Sequence, residues 1–181
     1  MTLEDTPDRQ DSTNVWNPDR LIMGKMIETA YETHDAFVVM HGTDSLAETC
    51  AYLSMLFKTS LQKPVFVIGA QMTKTEPGTD VRMQIENTLR VAKSFVRNKI
   101  VGVYNVCIGD VLHGSRVCKR RDSDFDAFHT PGRHPVAHAR PHITIQDGAR
   151  RQDEVTAVQG LRLDDQFERH VVSFIVSADA P

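Results

Sequence analysis

A histidine, a glycine, a threonine, an aspartate and a serine stand in a row at His41-Gly42-Thr43-Asp44-Ser45. Thr43 and Asp44 set a hydroxyl beside a carboxylate, groups that hold polar ligands and carry protons. Gly42 permits a tight turn and a close backbone approach. Ser45-Leu46-Ala47-Glu48 then spells a capping box, so a helix N-terminus opens at the same spot. Its free N–H groups and dipole favour an anion there. On residue types alone two readings stand: a binding loop, or a helix cap in which Asp44 or Ser45 satisfies backbone donors.

Other groups with chemical potential lie further on. His129, His134, His138 and His142 recur at a spacing that would suit a zinc site on a helix. Pro131, Gly132, Pro135 and Pro141 break any such helix, so the expectation is loop and surface histidines and no metal. Cys118 beside Lys119 reads either as a thiol of lowered pKa or as a packing cysteine, and packing is expected. In isolation Lys119 belongs to a surface cation run with Arg120 and Arg121; these arginines and Asp122 read as a solvated hairpin. No glycine-rich phosphate loop is present, and no organic cofactor is expected.

These residues need elements to hold them. Asn17 can cap a helix, with Pro18 at its first position and Asp19 at the positive end of its dipole. Leu21, Ile22, Met26, Ile27 and Ala30 recur in it at helical spacing. Ala36 to Met40 reads as a buried strand running into His41. The helix opened at Ser45 carries Leu46, Thr49, Cys50, Leu53, Leu56 and Phe57 on one face. Pro64 to Gly69 is a second strand. A polar loop leads to a helix over about 80–97 with apolar Val81, Ile85, Leu89, Ala92 and Val96. Ile100 to Ile108 is a third strand, closed by a turn at Gly109-Asp110. Strand–helix alternation predicts an α/β fold with a parallel sheet and covering helices. Val136 to Ile145 and Val171 to Val176 read as further short strands. The loop at His41 then lies outside the carboxyl end of a strand, where such sheets bind ligands.

Composition bounds the rest. A chain of 181 residues, 40% apolar and 25% charged, has the make-up of one globular domain, not of a disordered or collagen-like chain. A net charge of −3 gives no bulk reason to bind nucleic acid or an anionic membrane. No apolar run approaches membrane-spanning length, and the polar, acidic start at Met1 to Asp11 does not read as a signal peptide. Cys50, Cys107 and Cys118 are odd in number and without a C-x-x-C, which predicts reduced thiols in the cytoplasm.

The wording around the loop adds a resemblance. Val38 to Thr49, with His-Gly-Thr-Asp-Ser at its centre, resembles the signature of the bacterial-type L-asparaginase (asparaginase/glutaminase) family. Lys63 to Gln71 resembles that family's following strand and turn. His113-Gly114-Ser115-Arg116-Val117-Cys118-Lys119 is similar to its G-x-R-x-x-K segment, and Asp124-Phe125-Asp126-Ala127-Phe128 matches in kind. Asp11-Ser12-Thr13-Asn14 resembles its substrate-clamping loop. The blocks occur in the family's order from residue 11 to about 130.

The resemblance implies an amidohydrolase that releases ammonia from L-asparagine, with no metal or cofactor and a homo-oligomeric assembly. Thr43, Asp44 and Lys119 would form a hydroxyl–ammonium–carboxylate relay. Asp44 would also meet the α-ammonium of an amino-acid substrate, Ser12 would bond its α-carboxylate and Ala70 would lie near the scissile amide, with Thr13 and Gly42 also among the substrate-binding residues. It also implies a flavodoxin-like, doubly wound, mostly parallel sheet that lacks its first strand. Residues 1 to 16 would be a lead-in with a remnant of the substrate loop, 17 to 145 the N-terminal α/β domain, and 146 to 181 a linker and the start of a truncated second domain. The family's attacking threonine follows a Gly-Gly pair, and this chain contains no Gly-Gly. That departure puts the activity of the chain in doubt. It keeps two alternatives open: a non-catalytic asparaginase-like fragment or binding module, and the amidase-like subunit of a tRNA amidotransferase.

Overall fold

In the computed structural model the described residues are 11–150, 152 and 160–165. They form helices α1 (Asn17–Ala30), α2 (Leu46–Phe57) and α3 (Val81–Arg97) around a six-stranded sheet. Strands β1 (Phe37–Met40), β2 (Pro64–Ile68) and β3 (Gly102–Cys107) are parallel neighbours. Strand β4 (Asp110–His113) runs antiparallel to β3. A separate ladder joins β5 (Cys118–Lys119) to β6 (Phe128–His129). The hairpin of β7 (Ala137–Arg140) and β8 (His142–Ile145) completes the main sheet, in the order β1-β2-β3-β4-β7-β8. The strand expected over Val171 to Val176 lies outside the described residues.

The sheet is therefore mixed, not mostly parallel as expected. The reason is local. Ile108 and Gly109 both adopt positive φ, 47° and 81°, between the paired residues Cys107 and Asp110. Two consecutive left-handed residues close a tight antiparallel hairpin and cannot start a crossover.

Alternation along the central strands sorts side chains to the two faces. Val65, Val67 and Val103 join α2 and Ile27 of α1 in one core cluster. Phe66, Ile68, Tyr104 and Val106 join Val91 and Phe95 of α3 in the other. Phe95 meets Tyr104 edge-on at 5.1 Å, and the buried Tyr104 hydroxyl donates to Val101 O at 2.7 Å. Gly24 lets α1 approach α2: a Cβ there would collide with Leu56 Cδ2.

Several local expectations shift. Asn17 is the first helical residue, not the cap; Asp19 Oδ2 accepts the Trp16 N–H at 2.8 Å. The capping box at Ser45 does not form, because the Ser45 hydroxyl donates to Ser12 O instead. On α3 the buried residues are Gln84, Thr88, Val91, Ala92 and Phe95, whereas Leu89 and Val96 are exposed. Cys118 is exposed and not a packing cysteine, since its two-residue strand lies on a hairpin outside the main sheet. Among the described residues β1 ends the sheet, with Met40 61% exposed.

Candidate functional site

The loop after β1 is held from three sides. The His41 N–H donates to Ile68 O at 2.8 Å, which extends the β1–β2 ladder by one residue. Gly69 at the end of β2 lies against the loop: a Cβ there would stand 2.9 Å from His41 O and 3.2 Å from Thr43 Cγ2. On the far side Ser12 is buried at 6% exposure. Its Oγ accepts the Asp44 N–H at 3.2 Å. Gly42 is required here, because a Cβ would come within 2.5 Å of Ser12 Oγ and 2.7 Å of Ser12 Cβ.

Ser12 itself sits in a short helical turn, Ser12–Asn14, whose Thr13 N–H is capped by Asp11 Oδ1 at 2.9 Å. The next residue reaches the same loop: Thr13 Oγ1 donates to Asp44 Oδ2 at 3.3 Å. So the segment at Asp11 and the loop at His41 form one unit.

Lys119 arrives on β5. Its Nζ donates to Asp44 Oδ1 at 2.7 Å and to Thr43 Oγ1 at 3.2 Å. The lysine side chain is 16% exposed and that of Asp44 55%, so the pair sits at the mouth of the site. Asp122 Oδ1 stands 3.5 Å from the same Nζ. The hydrogen bond from Lys119, reinforced by its charge, holds the Asp44 carboxyl below the usual carboxylate value.

The structure thus brings together Ser12, Thr13, Gly42, Thr43, Asp44 and Lys119. Ala70 lies one residue beyond Gly69, half-buried, in a cleft it shares with His41. The histidine row does not converge. His138 Nδ1 faces Asp110 Oδ1 at 2.9 Å on the main sheet, and His129 Nδ1 faces Cys118 O at 3.3 Å on the hairpin. Arg120 pairs with Asp126, and Arg121 with Asp124, on the exposed part of that hairpin.

Three supporting residues escaped the sequence reading. Asp80, 3% exposed, accepts the N–H groups of Gln71 and Met72 at 3.1 and 3.2 Å. The Gln71 amide then donates to Asp124 O at 2.8 Å, which ties the turn after β2 to the Lys119 hairpin. Arg20 is buried on α1 and bonds Thr49 of α2. Arg20, Gly24 and Ile27, the buried residues of α1, share one stripe at i, i+4 and i+7, a signal present in the sequence.

At the carboxyl end of β1 the α/β fold thus gathers a threonine hydroxyl and an aspartate carboxylate, joined by a lysine from the β5–β6 ladder. The family model described as "Asparaginase, N-terminal" matches residues 4–151. The chain belongs to the asparaginase family. It is 31% identical over 143 residues to L-asparaginase 1 of Escherichia coli, covering 79% of this chain and 41% of that protein. It is 33% identical over 142 residues to a glutamyl-tRNA(Gln) amidotransferase subunit of Pyrococcus abyssi, covering 74% of this chain and 31% of that one. The crystal structure of L-asparaginase I from Vibrio cholerae superposes with a TM-score of 0.80 at 26% identity, covering 90% of this chain and 48% of that chain. The chain therefore spans less than half the length of these relatives.

Proposed function

We propose that this chain carries the amidohydrolase site of an L-asparaginase, acting on L-asparagine to give L-aspartate and ammonia. The single observation that carries the reading is the contact of Lys119 Nζ with both Thr43 Oγ1 and Asp44 Oδ1. In its amine form Lys119 takes the Thr43 hydroxyl proton, and Asp44 stabilises the ammonium that results. The outer oxygen of Asp44 and the Ser12 hydroxyl receive the ammonium and carboxylate of the amino acid. Gly42 and Ala70 leave room beside them for the amide.

The test is ammonia release from L-asparagine by the purified chain, with Thr43→Val and Lys119→Met beside it. Because the chain has no Gly-Gly-Thr turn, the expected turnover is far below ordinary enzyme rates of about 1–1,000 per second, and both variants abolish it. Turnover at ordinary rates would make Thr43 the attacking group. Turnover that survives both substitutions would end the relay reading. The second reading, an amidase-like component of an amidotransferase, is favoured by the identity to the Pyrococcus protein. It predicts turnover only when the complementary amidotransferase component is added.

The finer plan we propose is the flavodoxin-like, doubly wound sheet with a strand position open beside β1. Supporting it, α1 and α2 pack on one face and α3 on the other. Val38 and Met40 are exposed at the sheet's end. A cleft of about 210 Å³ bounded by Met40, Ala70, Val81 and Ile85 adjoins them, and Gln84 Oε1 is buried beside it without a partner among the described residues. Fast hydrogen exchange at the outward amides of Val38 and Met40 is expected; strong protection there would rule out an open edge.

On the same reading residues 1–16 are a lead-in that delivers Ser12, 17–145 the N-terminal domain, and 146–181 the passage to a second domain. The protein is read as a cytoplasmic homo-oligomer. The three free thiols support the compartment, and sedimentation tests the assembly. Among the described residues no helix is long and apolar enough to cross a membrane.

A further inference from the structure

Beneath the loop lies a line of polar side chains that the relay does not use. Arg20, 8% exposed, donates from Nε to Thr49 Oγ1 at 3.1 Å and from Nη1 to Asn17 Oδ1 at 3.0 Å. Thr49 is wholly buried, and its Oγ1 also lies 3.0 Å from His41 Nε2. His41 Nδ1 lies 2.7 Å from Gly42 O. The line thus crosses from α1 through α2 to the last residue before the loop.

The protons on this line follow from what each group can do. A guanidinium only donates, so Thr49 Oγ1 accepts from Arg20. The threonine hydroxyl keeps one proton, which it directs to the other neighbour, His41 Nε2. If Nε2 donated instead, to the second lone pair of Thr49 Oγ1, the buried hydroxyl proton would lose this acceptor, so satisfying it places a lone pair on that nitrogen. At the far end a carbonyl only accepts, so His41 Nδ1 carries the ring proton and donates it to Gly42 O. Both ends dictate the same neutral tautomer. The hydrogen-bond partners of this buried guanidinium are neutral, while the charges of Glu48 and Asp19 act on it from nearby and offset part of its burial cost; an apolar residue would fill the space without directing any proton.

We propose that Arg20 is a positioning residue: acting through Thr49, it locks His41 as the Nδ1–H tautomer and so fixes the Gly42–Thr43 peptide. In a trans peptide the C=O and N–H point in opposite directions. With Gly42 O drawn to the imidazole, the Thr43 N–H is turned to the other side, and Thr43 enters the loop in one orientation. The consequence for turnover rests on the reading of Thr43 given above; the proton arrangement does not.

The test is long-range nitrogen–proton NMR of the His41 ring at neutral pH, in the full chain and in Arg20→Leu, Arg20→Lys, Thr49→Val and Thr49→Ser. The unaltered chain is expected to show the Nδ1–H tautomer alone. Arg20→Lys and Thr49→Ser, which keep the donor and the hydroxyl, retain it. Arg20→Leu and the isosteric Thr49→Val give a mixture with the Nε2–H form. A ring protonated on Nε2 in the unaltered chain, or a pure Nδ1–H ring in Thr49→Val, overturns the proposal, and the latter needs no folded Arg20→Leu. Ammonia release is read on the same samples. Where turnover is measurable, Arg20→Leu lowers kcat on the order of tenfold to a hundredfold, as misplacement of a reacting group does, with KM little changed and recovery in Arg20→Lys. Turnover that survives Thr43→Val and Lys119→Met while His41 behaves as described ends the relay reading and leaves the Arg20 line standing.

Discussion

Lys119 Nζ stands 3.2 Å from Thr43 Oγ1 although 76 residues separate them in the chain. The hairpin of β5 and β6 makes the approach, and the same nitrogen grips Asp44 at 2.7 Å. Since the Lys119 hydrogen bond is the leading cause of the lowered Asp44 value, Lys119→Met raises the titration midpoint of that carboxyl, as followed by carbon NMR. A depressed carboxylate contributes stability that is present above its unfolded value, about 3.8, and lost as pH falls through the folded one. The acid-side loss is therefore smaller in Lys119→Met. A midpoint that does not move would mean that the pair does not persist in solution.

Gly42→Ala sets a Cβ against Ser12 Oγ and Ser12 Cβ at 2.5 and 2.7 Å. Overpacking of this kind costs about 1–3 kcal/mol. Urea denaturation is expected to show that loss. The Asp44 amide resonance should shift as its bond to Ser12 Oγ breaks. An unchanged Asp44 amide would place the Ser12 segment away from the loop.

Asp80→Ala removes the acceptor of the Gln71 and Met72 amides. Hydrogen bonds to a charged group contribute about 1.5–3 kcal/mol, so the variant is destabilised on that scale. Gln71→Ala separates the two roles. It leaves Asp80 its backbone donors but frees Asp124 O, so hydrogen exchange should quicken over 119–126 with little change in overall stability. Equal exchange in both proteins would remove Gln71 as the tie between turn and hairpin.

His41 and His113 are both held below the usual imidazole value, chiefly by burial. Arg20 adds to the effect at His41 while Glu48 opposes it; Arg133 and Arg116 add to it at His113. The unfolded chain then binds protons that the folded chain refuses. Stability is expected to fall as pH drops below about 6.5, until the folded rings titrate. Denaturation of the double variant His41→Gln, His113→Phe across that range should give a flatter curve. An equally steep curve would locate the dependence elsewhere.

Local information carried much of the framework. The face of α2 formed by Leu46, Thr49, Cys50, Leu53, Leu56 and Phe57 is buried as its spacing predicts. The three apolar runs became the parallel strands β1, β2 and β3. Elsewhere local reading stopped short. Leu89 and Val96 of α3 fit a buried stripe by spacing yet lie exposed, because periodicity marks an apolar face without saying what covers it. Ser45 reads as a cap by its neighbours, and the carbonyl of Ser12 captures its hydroxyl instead.

The sequence alone determined the residue types of the site and their order: Ser12 and Thr13 before a helix, Thr43 and Asp44 after a strand, Lys119 after a G-S-R-V-C frame. These are properties of contiguous segments, where spacing and turn chemistry act over a few residues. Only the tertiary structure decided that the Asp11 segment closes on the His41 loop, that the sheet turns antiparallel after β3, and that Arg20 on α1 reaches His41 through Thr49 on α2. Contacts between segments far apart in the chain are set by how helices and strands pack on shared faces, and by which donors burial leaves seeking acceptors. Neither quantity is a property of any one stretch of sequence.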